Sequence, residues 1–225
     1  MKMDLVIFDL DGTLIDSSLD LAHSVNAARG HMGLPPLEHE TVSSYVGNGA
    51  PVLIRRALGP QASEADVQHA LDFFLAYYHE HKLDCTRLYP GVRESLDRLL
   101  GASVPMAILT NKPVRISQAI IEGLGLSGYF FRVYGGNSFE QKKPHPVGVE
   151  KLIEESGASR ERTLVVGDSA VDIRTARNAG VRSAGVTYGF QPEALAGEHP
   201  DFLMDRMEQV AELILEGRNK QGDLP

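Results

Sequence analysis

The sequence predicts an α/β fold in which a parallel sheet with helices on both faces is interrupted, after its first strand, by a helical insert. Residues 4–9 form an apolar run typical of a short buried strand. After residue 88, short apolar or β-branched runs alternate with helical patterns, which is typical of a parallel sheet. Residues 16–87 contain no β-rich run. We therefore expect an α/β core domain of residues 1–15 and 88–218, and a helical domain of residues 16–87.

The helical insert is predicted from residue spacing. A helical pattern begins near residues 16–20, and helices are separated by "HMGLPP", "YVGNGAP" and "LGPQAS". The stretch "SEADVQHALDFFLAYYHEHK" has apolar residues at helical spacing and an acidic first turn. The two crossings between the insert and the core, "TLIDSS" and "DCTRLYPG", are the expected hinges.

In the core, four further strands are predicted, each followed by a helix. The strands are expected at residues 105–110, in "FRVYGG", at residues 163–168 and in "RSAGVTYG". The helices are expected in "PVRISQAIIEGLG", "HPVGVEKLIEESG", "AVDIRTARNAG" and "MEQVAELILEG". Residues 219–225 are expected to form a flexible tail.

Composition limits the class of function. The chain has 225 residues, with 30 acidic and 22 basic residues and a net charge of −8, which argues against nucleic acid as a partner. The single cysteine, Cys85, excludes an intrachain disulfide and fits a reducing compartment. No apolar run approaches ~20 residues, and the N-terminus passes directly into a strand. We therefore expect a cytoplasmic protein without a membrane partner, while the oligomeric state stays open.

Polar residues follow the predicted strands. In open α/β sheets, ligands bind outside the carboxyl ends of the strands, so these residues should meet at one edge of the sheet. They come from four separate pieces of chain: Asp9 and Asp11, Thr110 and Asn111, Lys143, and Asp168 with Asp172.

The chemistry of these residues is mutually consistent. Two carboxylates as close as Asp9 and Asp11 are costly unless positive charge lies between them. Clustered aspartates without a histidine or cysteine set suit a hard divalent cation, and Mg²⁺ is the usual one. A lysine, a hydroxyl and an amide together suit a phosphoryl group. One carboxylate can act as a covalent nucleophile, and a second can protonate the leaving oxygen and then activate water.

Four motifs, "DLDGTL", "LTNK", "KKPHP" and "GDSAVD", resemble those of the haloacid dehalogenase superfamily in the same order, and the resemblance covers essentially the whole chain. It implies a Rossmann-like core of the haloacid dehalogenase type and an insert that acts as a cap over the active site. By this resemblance, Asp9 is the nucleophile and a Mg²⁺ ligand. Asp11 is the general acid/base, its backbone carbonyl is also on the metal, and Thr13 helps to position it.

The same resemblance assigns the other motif residues. Thr110 and Asn111 would bind the phosphate, and Lys143 would balance the charge of nucleophile and phosphate. Asp168 would be a metal ligand, and Asp172 a ligand through water or a partner of Lys143. Dehalogenases of the superfamily lack an acid two residues after the nucleophile, so Asp11 indicates phosphoryl transfer.

The substrate is indicated by a narrower resemblance. "YVGNGAPVLIRRAL", "LYPGV", "LTNKP", "QKKPHP" and "VTYGF" are similar to bacterial phosphoglycolate phosphatases. This implies a small phosphorylated metabolite, with 2-phosphoglycolate as the first expectation. Asn48 and Gly49 would face the substrate, and Arg55 or Arg56 would meet its carboxylate. The chain departs from the family at Asn137, where an aspartate is common.

Three alternatives stay open at this point. A β-phosphoglucomutase-like phosphosugar mutase and a pyrophosphatase would use the same core residues. A non-enzymatic protein that binds phosphorylated ligands or a protein partner is a different class, and it would not require both Asp9 and Asp11.

Overall fold

The fold, a computed structural model, is described for residues 3–219, without the side chains of residues 217–219. Its strands are β1 (Leu5–Phe8), β2 (Ile15–Asp16), β3 (Arg87–Leu88), β4 (Met106–Leu109), β5 (Arg132–Tyr134), β6 (Thr163–Gly167), β7 (Arg182–Val186) and β8 (Phe202–Met204). Its helices are α1 (Ser18–His31), α2 (His39–Tyr45), α3 (Ala50–Leu58), α4 (Glu64–His81), α5 (Val92–Gly101), α6 (Val114–Gly123), α7 (Val147–Ser156), α8 (Ala170–Ala179), α9 (Pro192–Ala196) and α10 (Met207–Asn219).

Six of the strands form one sheet in the order β5-β4-β1-β6-β7-β8, and every pairing is parallel. β1 lies in the middle and is fully buried. Because side chains alternate along a strand, Val6 and Phe8 pack into the core on one face of the sheet and Leu5 and Ile7 into the core on the other. Helices cover both faces, so the predicted α/β fold is confirmed.

The helical insert consists of α1–α4, and it joins the core through the two-stranded antiparallel pair β2–β3, in which Ile15 lies opposite Leu88. The longest of its helices, α4, begins with a capping box in which Ser63 and Asp66 bond to each other's backbone N–H groups. Phe74 and Tyr78 of α4 are buried.

A buried carboxylate fixes the base of the helical insert. Asp20 of α1 accepts hydrogen bonds from the backbone N–H groups of Cys85 and Thr86 and from the Thr86 hydroxyl. The start of the insert is thereby tied to its end, directly beside the β2–β3 pair.

Some short elements have no counterpart in the sequence prediction. The β2–β3 pair, β8 and α9 are each five residues or shorter, too short for a hydrophobic period to identify them. Asn219, expected in the flexible tail, ends α10, and the rest of that tail, residues 220–225, lies outside the described residues. No helix within residues 3–219 is long and apolar enough to cross a membrane.

Candidate active site

A pocket lies at the carboxyl ends of the strands, between the sheet and the helical insert. Asp9, Thr110 and Asp168 follow the three neighbouring strands β1, β4 and β6, and all three line the pocket. The insert contributes side chains of α4, including Phe74 and Tyr78. The position is the one expected for a ligand site in a parallel α/β sheet.

Three buried carboxylates cluster on one side of this pocket. Asp9, Asp168 and Asp172 each have an oxygen within 4.8 Å of the others. Burial raises the pKa of Asp9 to about 6, against the lowering effect of Lys143. Burial and the neighbouring Asp172 and Asp9 carboxylates hold the pKa of Asp168 well above its usual range. The cluster therefore needs positive charge nearby if its carboxylates are to be ionised together.

Lys143 supplies part of that charge. Its Nζ lies 2.8 Å from Asp9 Oδ1 and 2.6 Å from Asp172 Oδ1, and its side chain is 3% exposed. The other oxygen of Asp172 accepts hydrogen bonds from the backbone and hydroxyl of Ser169 and so caps α8. Both Asp172 oxygens are thus engaged, which makes Asp172 a partner of Lys143 rather than a free metal ligand.

The remaining oxygens fit a hard divalent cation. Asp9 Oδ1 is buried and accepts no hydrogen bond of good geometry, although Lys143 lies close. Asp168 accepts a backbone N–H bond from Phe190 at 2.7 Å. Gly12 lies against Asp168 with φ +80°, and a Cβ there would collide with the Asp168 carboxylate. The carboxylate oxygens of Asp9 and Asp168 are the ligand type that Mg²⁺ prefers.

Asp11 has different surroundings from the cluster. Its Oδ1 accepts a hydrogen bond of 2.6 Å from the Ser17 hydroxyl, and Lys112 Nζ lies 2.9 and 3.0 Å from its two oxygens. Thr13, expected to position Asp11, instead donates to Asp168 at 3.4 Å. Thr13 lies in the turn that follows Asp11, with its hydroxyl against Asp168, whereas the hydroxyl that contacts Asp11 belongs to Ser17.

Lys112 and Tyr78 are site residues that the sequence analysis missed. Lys112 Nζ donates to the Tyr78 hydroxyl at 2.6 Å and lies 4.5 Å from the centre of that ring. Lys112 stands within the quoted motif "LTNK", which was the available signal. Tyr78 comes from the helical insert, and its pattern in α4 indicates core packing only.

Thr110 and Asn111, the two residues expected to bind the phosphate, make different contacts. The Thr110 hydroxyl accepts the Lys112 backbone N–H at 3.3 Å, and Thr110 lines the pocket. The Asn111 amide donates to the backbone carbonyls of Gly47 and Lys143 at 3.0 and 3.1 Å. Since both amide hydrogens are used, this side chain joins the insert to the core, and its buried Oδ1 accepts no hydrogen bond.

The loop before α3 closes the pocket. Gly49, with φ +85°, lines the pocket, and a Cβ there would lie 3.1 Å from the Asn111 carbonyl oxygen. The Asn48 carbonyl accepts a hydrogen bond of 2.6 Å from Lys142, and the Val46 carbonyl one of 2.8 Å from Gln191. The side chain of Asn48 is not among the pocket residues, so only its backbone contributes to closure.

The arginines expected to meet a substrate carboxylate lie outside the pocket. Arg55 forms an ion pair with Glu64, and Arg56 donates to the Tyr45 carbonyl at 3.2 Å. Neither lines this pocket, because α3 presents both arginines on the outer surface of the insert.

Asn137, the departure from the family pattern, has a structural role. Its Oδ1 accepts the backbone N–H of Val114 at 2.9 Å, at the first residue of α6. An amide oxygen can replace a carboxylate as acceptor there, so the site does not depend on this position.

Comparisons with known proteins agree with this geometry. Residues 6–186 match a family model described as haloacid dehalogenase-like hydrolase. A phosphoglycolate phosphatase from Vibrio parahaemolyticus is 40% identical over 217 residues, which cover 93% of this chain and 95% of that protein. One from Chromobacterium violaceum is 37% identical, over 94% of this chain and 96% of the relative.

A solved structure is similar along nearly its whole length. It is a crystal structure of a predicted phosphoglycolate phosphatase from Haemophilus somnus, with a TM-score of 0.90 and 34% sequence identity. The match covers 95% of this chain and 98% of that one.

Proposed function

The chain belongs to the haloacid dehalogenase-like hydrolase family, and we propose that it is a Mg²⁺-dependent phosphomonoesterase that cleaves 2-phosphoglycolate to glycolate and phosphate. The observation that carries the proposal is the pairing of two carboxylates with different surroundings in one pocket. Asp9 lies in the buried cluster beside Lys143, and Asp11, two residues later, contacts Ser17 and Lys112.

In the first step, an Asp9 oxygen attacks the phosphorus and the bond from phosphorus to the ester oxygen breaks. Asp11 gives its proton to the departing oxygen, which leaves as the alcohol. Lys143, fixed between Asp9 and Asp172, balances the negative charge of the nucleophile and the transferred group. Mg²⁺ held by Asp9 and Asp168 would supply further positive charge for the phosphoryl oxygens.

In the second step, Asp11, now a carboxylate, takes a proton from a water molecule. The water oxygen attacks the phosphorus of the aspartyl-phosphate, and the bond from phosphorus to Asp9 breaks. Inorganic phosphate leaves, and Asp9 is a free carboxylate again. Asp11 therefore serves as acid and then as base, which is why a second carboxyl two residues after the nucleophile is useful.

The choice of substrate rests on the relatives. Proteins named phosphoglycolate phosphatase match this chain at 37–40% identity over more than nine tenths of its length. A small, diffusible substrate and a single cysteine fit the cytoplasm as the site of action.

The test is phosphate release, with Mg²⁺, from a panel of 2-phosphoglycolate, sugar phosphates, nucleotides and pyrophosphate. Asp9→Asn and a sample with EDTA are the controls, and both should lose activity. We expect 2-phosphoglycolate to lead by about tenfold or more in kcat/KM, roughly 1.4 kcal/mol of discrimination. If another ester has the highest kcat/KM, the assignment of 2-phosphoglycolate as substrate is overturned and the phosphomonoesterase reaction stands. No hydrolysis, but conversion between sugar phosphates, would favour the mutase.

A further inference from the structure

Lys112 has a particular position among the basic residues near the site. It is the one basic side chain that lines the pocket among the residues the structure describes. Lys143 lies against Asp9 and Asp172, and Lys142 is bonded to the carbonyl of Asn48. An anionic group of a substrate, other than its phosphate, would therefore find its cationic partner at Lys112.

The Lys112 ammonium is held in a fixed place. Its side chain is 4% exposed, and its donors point to the two Asp11 oxygens and the Tyr78 hydroxyl. Burial lowers the pKa of Lys112, but Asp11 and Tyr78 outweigh burial and bring the pKa above its ordinary value. Burial also raises the pKa of Tyr78 to about 12, so this hydroxyl is neutral and accepts from the ammonium.

The direct contact between Lys112 and Asp11 favours a short substrate. Lys112 Nζ lies 2.9 Å from the nearer oxygen of Asp11, the residue that meets the ester oxygen. In a two-carbon phosphoester, the carboxyl carbon lies roughly 2.4 Å from the ester oxygen, two bonds away. A hydrogen bond from Asp11 to the ester oxygen releases the Lys112 donor that faces this Asp11 oxygen, and that donor can then bind the substrate carboxylate. A third carbon would move the carboxylate about 1.3 Å farther away.

We propose that Lys112, braced by Tyr78 of the helical insert, binds the substrate carboxylate and selects two-carbon phosphoesters that carry one. This inference rests on the proposed function and gives the carboxylate a partner in place of Arg55. It also couples recognition to closure, because Tyr78 reaches Lys112 only while α4 lies over the sheet.

The test compares three substrates: 2-phosphoglycolate, 2-hydroxyethyl phosphate, which replaces the carboxylate with a hydroxymethyl group, and 3-phosphooxypropanoate, which adds one methylene. The readout is the ratio of kcat/KM for the first substrate to that for each of the others. We expect the wild-type ratio over 2-hydroxyethyl phosphate to be about a hundredfold, and Lys112→Met to reduce it at least tenfold. A general loss of Asp11 function would lower all three activities and leave the ratios unchanged.

Two further variants make the test decisive. Lys142→Met is the matched control, because Lys142 contacts the insert outside the pocket, and it should keep the wild-type ratio. Tyr78→Phe removes only the bracing hydroxyl and should lower the ratio about threefold or more. It serves as the second test if Lys112→Met does not fold.

Competitive inhibition by glycolate gives a binding readout that does not depend on the value of kcat. Its inhibition constant should rise about tenfold in Lys112→Met, while that of inorganic phosphate should change less than threefold. A variant that keeps the wild-type ratio overturns the role of Lys112 and leaves the proposed function intact. A wild-type enzyme without preference for 2-phosphoglycolate overturns the proposed function, and the role of Lys112 with it.

Discussion

At the scale of single residues, Asp9 and Asp11 are identical side chains with different surroundings. Asp9 is fixed by Lys143 within the carboxylate cluster, whereas Asp11 contacts a hydroxyl and a lysine that also reaches the helical insert. Lys143 thus places positive charge beside Asp9, and the Ser17 hydroxyl and the Lys112 ammonium fix the position of the Asp11 oxygens.

The proposed role of Asp11 predicts a dependence on the leaving group. Asp11→Asn should lower kcat for 2-phosphoglycolate about 10²–10⁴-fold, because an alkoxide needs a proton to leave. The first step with p-nitrophenyl phosphate should be affected far less, since p-nitrophenolate leaves without one. Burst-phase kinetics separate the two steps. An equal loss of the first step for both substrates would contradict the role of Asp11 as acid.

The carboxylate cluster predicts a pH dependence of metal stabilisation. The pKa of Asp9 is about 6 in the fold, against 3.8 ordinarily, and that of Asp168 is also raised. The folded state therefore holds more protons than the unfolded chain above pH 4, and the metal-free fold loses stability as pH rises through 6. Mg²⁺ binds the deprotonated carboxylates, so its stabilising effect should grow over the same window.

Thermal unfolding with and without Mg²⁺ measures this effect. With Mg²⁺ at roughly a hundred times its Kd, Tm should rise by about 5 °C or more at pH 7.5 and by clearly less at pH 5. Asp9→Asn should lose most of the increment at pH 7.5. Equal increments at the two pH values would show that these carboxylates do not hold the metal.

Individual site residues were predictable where one motif placed them at a strand end. Asp9, Thr110 and Asp168 follow strands that are neighbours in the sheet, so topology alone brings them together. Tyr78 and Lys112 meet across 34 residues and across two layers, and no local pattern marks such a pair. Arg55 lies outside the pocket for the complementary reason: a basic residue near a motif gives no information about which side of a helix it occupies.

At the scale of elements, the base of the helical insert depends on Asp20. This side chain is 1% exposed and accepts bonds from Cys85 and Thr86 at the opposite end of the insert. Its removal would leave the buried N–H of Thr86 and the half-buried N–H of Cys85 without this partner. Losing a hydrogen bond to a charged group, or leaving a buried donor unsatisfied, lowers the free energy of unfolding more than losing an ordinary surface contact does.

Asp20→Ala should therefore lower the free energy of unfolding by about 2–4 kcal/mol. Asp84→Ala is the matched control, because Asp84 pairs with His81 on the surface, and a change within about 0.5 kcal/mol is expected there. Chemical denaturation of both variants gives the comparison. Similar small losses in the two proteins would mean that Asp20 does not hold the base of the insert.

For the whole molecule, closure of the insert over the sheet is maintained by contacts between loops. Asn111 bonds to Gly47, Lys142 to Asn48, Gln191 to Val46 and Lys112 to Tyr78. A substrate must pass this closed entrance, so opening and closing about residues 13–18 and 84–91 should limit turnover.

A reversible cross-link between the two layers tests that expectation. Asn48→Cys with Lys142→Cys, in a Cys85→Ser background, should allow a short linker to join the loops. Turnover should fall about tenfold or more on cross-linking and return with reductant, while the Mg²⁺-induced rise in Tm persists. Unchanged turnover in the cross-linked protein would exclude a hinge motion in catalysis.

The central position of β1 also determines when the protein can fold during its synthesis. β1 is made first, but its neighbours β4 and β6 begin only at residues 106 and 163. Until then, an apolar segment with both backbone edges unpaired is present in the nascent chain, and such edges favour aggregation. The intervening helices make mostly local contacts and can form earlier. The helical insert is thus synthesised before most of the sheet that it covers, and Asp9, which follows β1, reaches its final surroundings only once β6 is made, in the last third of the chain.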